Sequence, residues 1–341
     1  MNGRERIIAA INKQAVDQVP IGPPFQGYWA LGVAGITTRE SIEQPAHSAA
    51  AQLAMIDSCG FDGIETMWDW MLPVEAFGCE VKMPEYGTIS TWTPVVSEPA
   101  DLDRIEIPDP ERDYRMRSAM EATSILLDEA GSRIYTWMTI LSPFTLAGEM
   151  RGIEAMMLDT LSDPGFVSEL VELATEGLKG YCELIMSSGV DAVALCDPSA
   201  SGSLISPTDF TRFAKGPAEE FARVAREAGG QVMVHICGDT SDRLESVLEM
   251  GADIFSIDYQ VDLELASGSI GSRQTLLGNV KPAHTLFAGT AEESEQEAKE
   301  CLRKTGGRNF ILGAGCDIPV GSPVENVQAM KRAVLAFGDG I

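Results

Sequence analysis

Short segments rich in Val, Ile and aromatic residues recur along the chain, separated by longer stretches with helical spacing. Eight are read as strands: Val19–Pro23, Phe61–Thr66, Arg133–Thr139, Asp191–Cys196, Gln231–Ile236, Asp253–Ile257, Gln274–Asn279 and Asn309–Ala314. Most are almost uninterrupted apolar runs, the pattern of strands covered on both faces. From the third strand to the eighth, the connecting segments have helical periodicity. In Asp163–Ser188 the residues Phe166, Leu170, Leu173, Leu178 and Tyr181 share one face. Strand and helix in alternation imply parallel βαβ units, and eight of them imply a closed α/β barrel of the (β/α)8 TIM type.

Three segments depart from that rhythm. The first twenty residues read as a short amphipathic helix forming an N-terminal extension, with charges inside the apolar stretch and no leader cleavage site. Glu80–Ser97 alternates polar and apolar residues around a glycine, which predicts a small hairpin inserted early in the barrel. Pro99–Pro110 reads as an ordered loop leading into a helix at Tyr114–Ala130. With no internal repeat and no linker, residues 1–341 are expected to form one domain.

The charge of −26 changes the list of partners more than it changes the fold. So acidic a surface repels phosphate backbones, which argues against nucleic acid. It favours solubility, and it is also compatible with docking to a basic patch on a partner. No stretch approaches the length of a membrane span. Seven scattered cysteines without a framework pattern point to a reducing, cytoplasmic setting.

In such barrels the active site lies where strands end. The predicted strand ends carry Asp197, His235 with Cys237, Asp258, Asn279 and Cys316. In VMVHICGDT, His235 and Cys237 are two apart in an extended segment and face the same side. Cys316, in NFILGAGCDIP, ends the last strand and can reach across the mouth. One His and two Cys suit Zn²⁺ and leave one coordination position open, as a catalytic site requires. The same three residues read equally as unrelated core side chains, since His-x-Cys is a short motif. Asp197 and Asp258 are candidates to take the other ring proton of a metal-bound His, or else to cap the following helices. Asp239, Asp317 and Glu154 are further candidates for that role. The early mouth loops supply Phe25, Tyr28, Trp29, Trp68 and Trp70, which either pack on a cofactor or substrate or belong to the core. His47 and His284 fall outside the pattern, and Cys59, Cys79, Cys182, Cys196 and Cys301 read as small buried hydrophobes.

Several segments resemble the uroporphyrinogen decarboxylase superfamily: FILGAGCDIPVGSPVENVQAM (Phe310–Met330), CDPSASGSLISPTDF (Cys196–Phe210), SPFTLAGEMRG (Ser142–Gly152), PVEAFGCEVKMPE (Pro73–Glu85) and IPDPERD (Ile107–Asp113). The resemblance spans essentially the whole chain. The decarboxylases of that superfamily usually carry a His where this chain has Cys316, and an arginine-bearing MRQAGRY-type segment that has no counterpart around Pro23–Leu31. HICGDT instead resembles the HICGNT segment of the methylcobamide:coenzyme M methyltransferase branch. That resemblance implies a zinc site on His235, Cys237 and Cys316. It also implies methyl transfer between a corrinoid, presented by a partner protein, and a small thiol such as coenzyme M. Trp68, Trp70 and Asn279 are then the candidates to contact the cofactor, with Asp197 and Asp258 as catalytic candidates. Three alternatives stay open: demethylation of a methyl ether or methyl thiol toward the corrinoid, transfer to tetrahydrofolate, and a non-catalytic barrel that binds a corrinoid or tetrapyrrole. No Asp-x-His-x-x-Gly corrinoid motif occurs in the chain, which points to a separate carrier.

Overall fold

The computed structural model describes residues 1–338. Its strands are β1 (Gly63–Met67), β2 (Glu80–Lys82), β3 (Ser90–Thr93), β4 (Tyr135–Leu141), β5 (Ala192–Cys196), β6 (Gln231–Ile236), β7 (Ile254–Ile257), β8 (Thr275–Val280) and β9 (Phe310–Ala314). Seven of them form one parallel sheet in the order β1-β4-β5-β6-β7-β8-β9. β2 and β3 pair antiparallel as the inserted hairpin, inside the stretch Glu80–Ser97. The connecting helices fall where the spacing predicts them, for instance Tyr114–Ala130 and Pro164–Ser187, the latter capped by Asp163.

The first expected strand, Val19–Pro23, is not a regular one. Only Ile21 bridges Leu312 in parallel fashion. The segment nonetheless occupies the eighth position of the barrel. On one side Gly22 N donates to Leu312 O at 3.0 Å and Leu312 N to Pro20 O at 2.9 Å, while on the other Asp62 N donates to Ile21 O at 2.7 Å. Pro20, Pro23 and Pro24 have no N–H to extend either ladder, so pairing stops after one bridge.

Inside the barrel, Tyr135, Trp137, Ala192, Ala194, Met233, Ile254, Leu277 and Ile311 form an apolar floor, closed from below by Ile7 and Ile11. Those two belong to the helix Gly3–Ile11, which starts at an Asn2/Glu5 capping box. The N-terminal extension thus plugs the bottom and leaves the strand C-termini open. No helix among the described residues is long and apolar enough to cross a membrane.

Candidate metal centre

Strand alternation carries the site upward from the floor. Since Ala194, Met233 and Ile254 point inward, Cys196, His235 and Ser256 two residues later do so as well. On β1, a Cβ added at Gly63 would meet inward-facing Trp137, which puts Glu65 on the inner face. The apolar floor therefore gives way to a polar layer. His235, Ser256 and Glu65 are all fully buried in it.

His235 Nδ1 lies 3.0 Å from Ser256 Oγ and 3.2 Å from Ser256 O, on the neighbouring strand. A ring N–H donated to that carbonyl leaves Nε2 with its lone pair free. Nε2 is 3.2 Å from Cys237 Sγ, and Cys237 Sγ is 3.5 Å from Cys316 Sγ. All three donor atoms lie within 4.8 Å of one another. A tetrahedral zinc with ordinary Zn–N and Zn–S bonds needs N···S near about 3.6 Å and S···S near about 3.8 Å. The donor set therefore fits such an ion in chemistry and in spacing. Glycine follows or precedes each cysteine for steric reasons. Gly238 has φ +94, and a Cβ at Gly315 would come within 2.6 Å of Tyr259 N. Cys237 is held well above the ordinary thiol range by its hydrogen bond with Cys196 and by burial, although Cys316 opposes the shift. Cys316 is raised by Cys237 and by burial. A bound cation reverses this balance and holds both as thiolates.

Ser256, not a carboxylate, holds the imidazole. We expect Ser256→Ala to weaken zinc about tenfold, as chelator competition will read, because the backbone carbonyl still accepts the ring proton.

The two expected catalytic carboxylates lie beside the thiols, Asp197 near Cys196 and Asp258 near Cys237, and bond other groups than the imidazole. Asp197 is fully buried after β5, and its Oδ1 accepts from Thr145 Oγ1 at 2.6 Å while Oδ2 has no partner. Burial raises its pKa to about 6, against the lowering effect of the Ser142 and Thr145 hydroxyls. A raised carboxyl pKa makes the folded state the tighter proton binder, so stability falls as pH climbs from the unfolded to the folded value. Asp197→Asn is expected to remove up to about 3 kcal/mol of the stability loss between about pH 4 and about pH 6, measured by denaturant unfolding at each pH. Asp258 Oδ1 accepts from Gln260 N at 2.8 Å, closing a turn. Neither aspartate hydrogen-bonds the imidazole.

Asn279 also departs from expectation. Its Nδ2 donates to Asp258 O at 3.2 Å and to Val261 O at 3.0 Å, and Cys301 Sγ lies 3.7 Å from its Oδ1. It braces the β7 loop from outside the mouth. Trp68 is core, packed so tightly over Gly27 that an added Cβ there would lie 2.1 Å from Trp68 Cβ. Trp70 is half-buried at the site. Its ring centroid is 5.4 Å from Phe25 and 5.5 Å from Tyr28, and Phe25 stands edge-on to His235 at 4.8 Å. Glu154 is exposed on the outer helix Ile153–Ser162, and His47 and His284 are exposed as well. Asp317 lies beside Cys316, its pKa raised to about 8 by burial.

Glu65, Cys196 and Ser256 are the site residues that the sequence reading left unused. Burial pushes the Glu65 carboxyl well up, against the lowering effect of the Thr139 hydroxyl and the backbone N–H groups of Gly27 and Gln26. The signal was present, since a carboxylate sits inside the apolar run Phe61–Thr66. Cys196 pairs in register with His235, and its thiol and that of Cys237 influence each other's protonation.

The model of the uroporphyrinogen decarboxylase (URO-D) family matches residues 2–337. The chain belongs to that family. Among its URO-D relatives, methylcobamide:CoM methyltransferase MtaA of Methanosarcina barkeri is 26% identical, over 97% of this chain and 96% of that protein. A uroporphyrinogen decarboxylase of Anaeromyxobacter dehalogenans is 25% identical, over 98% of this chain and 99% of that protein. The solved structure of a methyltransferase from Methanosarcina mazei superposes with a TM-score of 0.90 at 26% identity, covering 99% of both chains. Identity alone does not divide the URO-D family into its two chemistries.

Proposed function

We propose that the chain is a zinc-dependent methyltransferase that moves a methyl group between a corrinoid, presented by a partner protein, and a small thiol. That it is an enzyme rests on full-length kinship with enzymes of both chemistries. The observation that carries the methyl-transfer reading is the convergence of His235 Nε2, Cys237 Sγ and Cys316 Sγ. The first two come from the end of one strand and the third from across the mouth, and among the described residues no fourth His, Cys, Asp or Glu joins the group.

His235, Cys237 and Cys316 would hold the ion, with Ser256 fixing the ring. When bound, zinc lowers the pKa of a thiol in its open position and so supplies a thiolate near neutral pH. Two protein thiolates and a neutral imidazole cancel the metal's charge, which keeps a fourth sulfur electron-rich. Transfer then forms a sulfur–carbon bond as the cobalt–carbon bond breaks, with the electron pair left on cobalt. Phe25 and Trp70 wall the site and keep water from one side of it. Exposed Tyr86, Leu204 and Tyr259, on loops at the mouth, offer apolar contact to the protein that carries the corrinoid.

The test is demethylation of free methylcobalamin, followed by its absorbance, with 2-mercaptoethanol and with 2-mercaptoethanesulfonate as acceptors. Loss of methylcobalamin with either thiol, abolished by chelator and restored by zinc, is the expected result. A static spectrum from protein of confirmed zinc content, with both thiols, overturns the thiol-acceptor reading and favours a methyl donor that loads the corrinoid.

A further inference from the structure

Resting on that reading, we infer that the corrinoid-carrying protein seats on an uncharged apolar rim centred on Val320, which forms one half of the barrel mouth, and meets carboxylates on the other half. The partner that fits presents an apolar face on one side of its corrinoid and basic residues on the opposite side.

The loops after β8, β9, the Val19–Pro23 segment and β1 follow one another around the mouth. Residues 282–291, 318–324, 27–36 and 86–89, drawn from these four loops, include no Asp, Glu, Lys or Arg. Charged residues make up 22% of the chain, so four neighbouring stretches without one set this half apart. Val320 joins them. A Cβ at Gly32 would come within 2.7 Å of its Cγ1 and one at Gly87 within 4.0 Å of its Cγ2, while one at Gly321 would lie 3.4 Å from Phe287 Cε2. Thr38 ties the hairpin tip to the same surface, donating from N to Glu85 O at 2.8 Å and from Oγ1 to Gly87 O at 3.0 Å. Val33, Tyr86 and Phe287 are 41%, 44% and 48% exposed on it. Contiguous apolar exposure of this kind marks a docking surface. Its central loop is the one that begins at Cys316, so the rim is built on a segment that supplies a metal ligand.

The facing half is acidic. Its loops after β6 and β7 carry exposed Asp239, Asp242, Asp262 and Glu264. Between residues 231 and 272 the single Lys or Arg is Arg243, a buried side chain already paired with Asp242. The metal centre lies between the halves, with Cys316 after β9 on one and His235 and Cys237 at the end of β6 on the other. A methyl group on cobalt reaches a sulfur there only when its carrier spans both. A second copy of this chain does not fit as the occupant. It would bring the same carboxylates and a further charge of −26, and it would close the mouth to the corrinoid.

Two methyl donors test this: free methylcobalamin, and the methylated corrinoid protein purified from the source cells as the coloured fraction that the enzyme demethylates with 2-mercaptoethanol. Val33→Glu and Phe287→Glu are expected to slow transfer from the protein at least about tenfold. Zinc content and the rate with free methylcobalamin should stay as in the parent. Leu161→Glu, an exposed apolar position on the outer helix Ile153–Ser162, should change neither rate. Added salt should raise KM for the protein donor and leave KM for the free cofactor unmoved. Variants that slow both donors equally, or neither, overturn the inference, and a KM for the protein that ignores salt overturns its acidic half. An enzyme that demethylates free methylcobalamin but no protein fraction overturns the inference and leaves the proposed function standing. One that demethylates neither overturns both.

Discussion

Replacing Cys316 with alanine is expected to take zinc from about one equivalent per chain to nearly none and to slow methyl transfer about a thousandfold or more. The size follows from geometry. Cys316 Sγ lies 3.5 Å from Cys237 Sγ, and among the described residues no other donor completes the group of three on that side of the mouth. Two donors on one strand do not hold the ion against water, and without the ion a small thiol near neutral pH is mostly protonated. Cys316→His is the sharper variant, because it installs the residue that decarboxylases usually carry there. It should keep zinc while slowing transfer about ten- to a hundredfold, since a neutral imidazole in place of a thiolate leaves the ion positive and draws electron density from the substrate sulfur. Metal content by elemental analysis, read beside the methylcobalamin rate, separates the two variants.

Arg115→Met is expected to cost about 3–5 kcal/mol of folding stability. Arg115 and Asp69 are both almost completely buried, and the pair is bidentate. Removing the guanidinium strands the buried Asp69 carboxylate, which among the described residues has no other ion-pair partner. Asp69 immediately precedes Trp70, so the same change should loosen the aromatic wall of the site. Adding Asp69→Asn should recover a substantial part of the loss, because an uncharged amide is far cheaper to bury. Urea unfolding of the single and double variants measures both steps, and a single variant within about 1 kcal/mol of the parent would refute the account.

Much of the barrel was legible because its strands are buried on both faces and so appear as continuous apolar runs. The exception is Val19–Pro23, whose prolines bar a regular ladder although the segment fills a strand's place. That His235, Cys237 and Cys316 could share one mouth was legible from a two-residue period and the strand-end rule, but those left a core reading open, and the resemblance of HICGDT to HICGNT is what pointed to a metal site. Ser256 was not. Its contact with His235 depends on the register between β6 and β7, which pairs the two residues and which no local pattern encodes. Asn279 was misplaced for a related reason. A strand end fixes where a Cα sits, whereas this side chain turns to the carbonyls of Asp258 and Val261. Trp68 and Trp70 looked alike in sequence, and only the approach of Gly27 shows that the first is core.

The most direct measurement is X-ray absorption at the zinc edge, before and after adding a thiol acceptor. The account predicts two sulfur ligands in the resting protein and three once the thiol is bound, with one nitrogen retained throughout. A zinc whose sulfur count does not change on adding a thiol that the protein demonstrably turns over would contradict it.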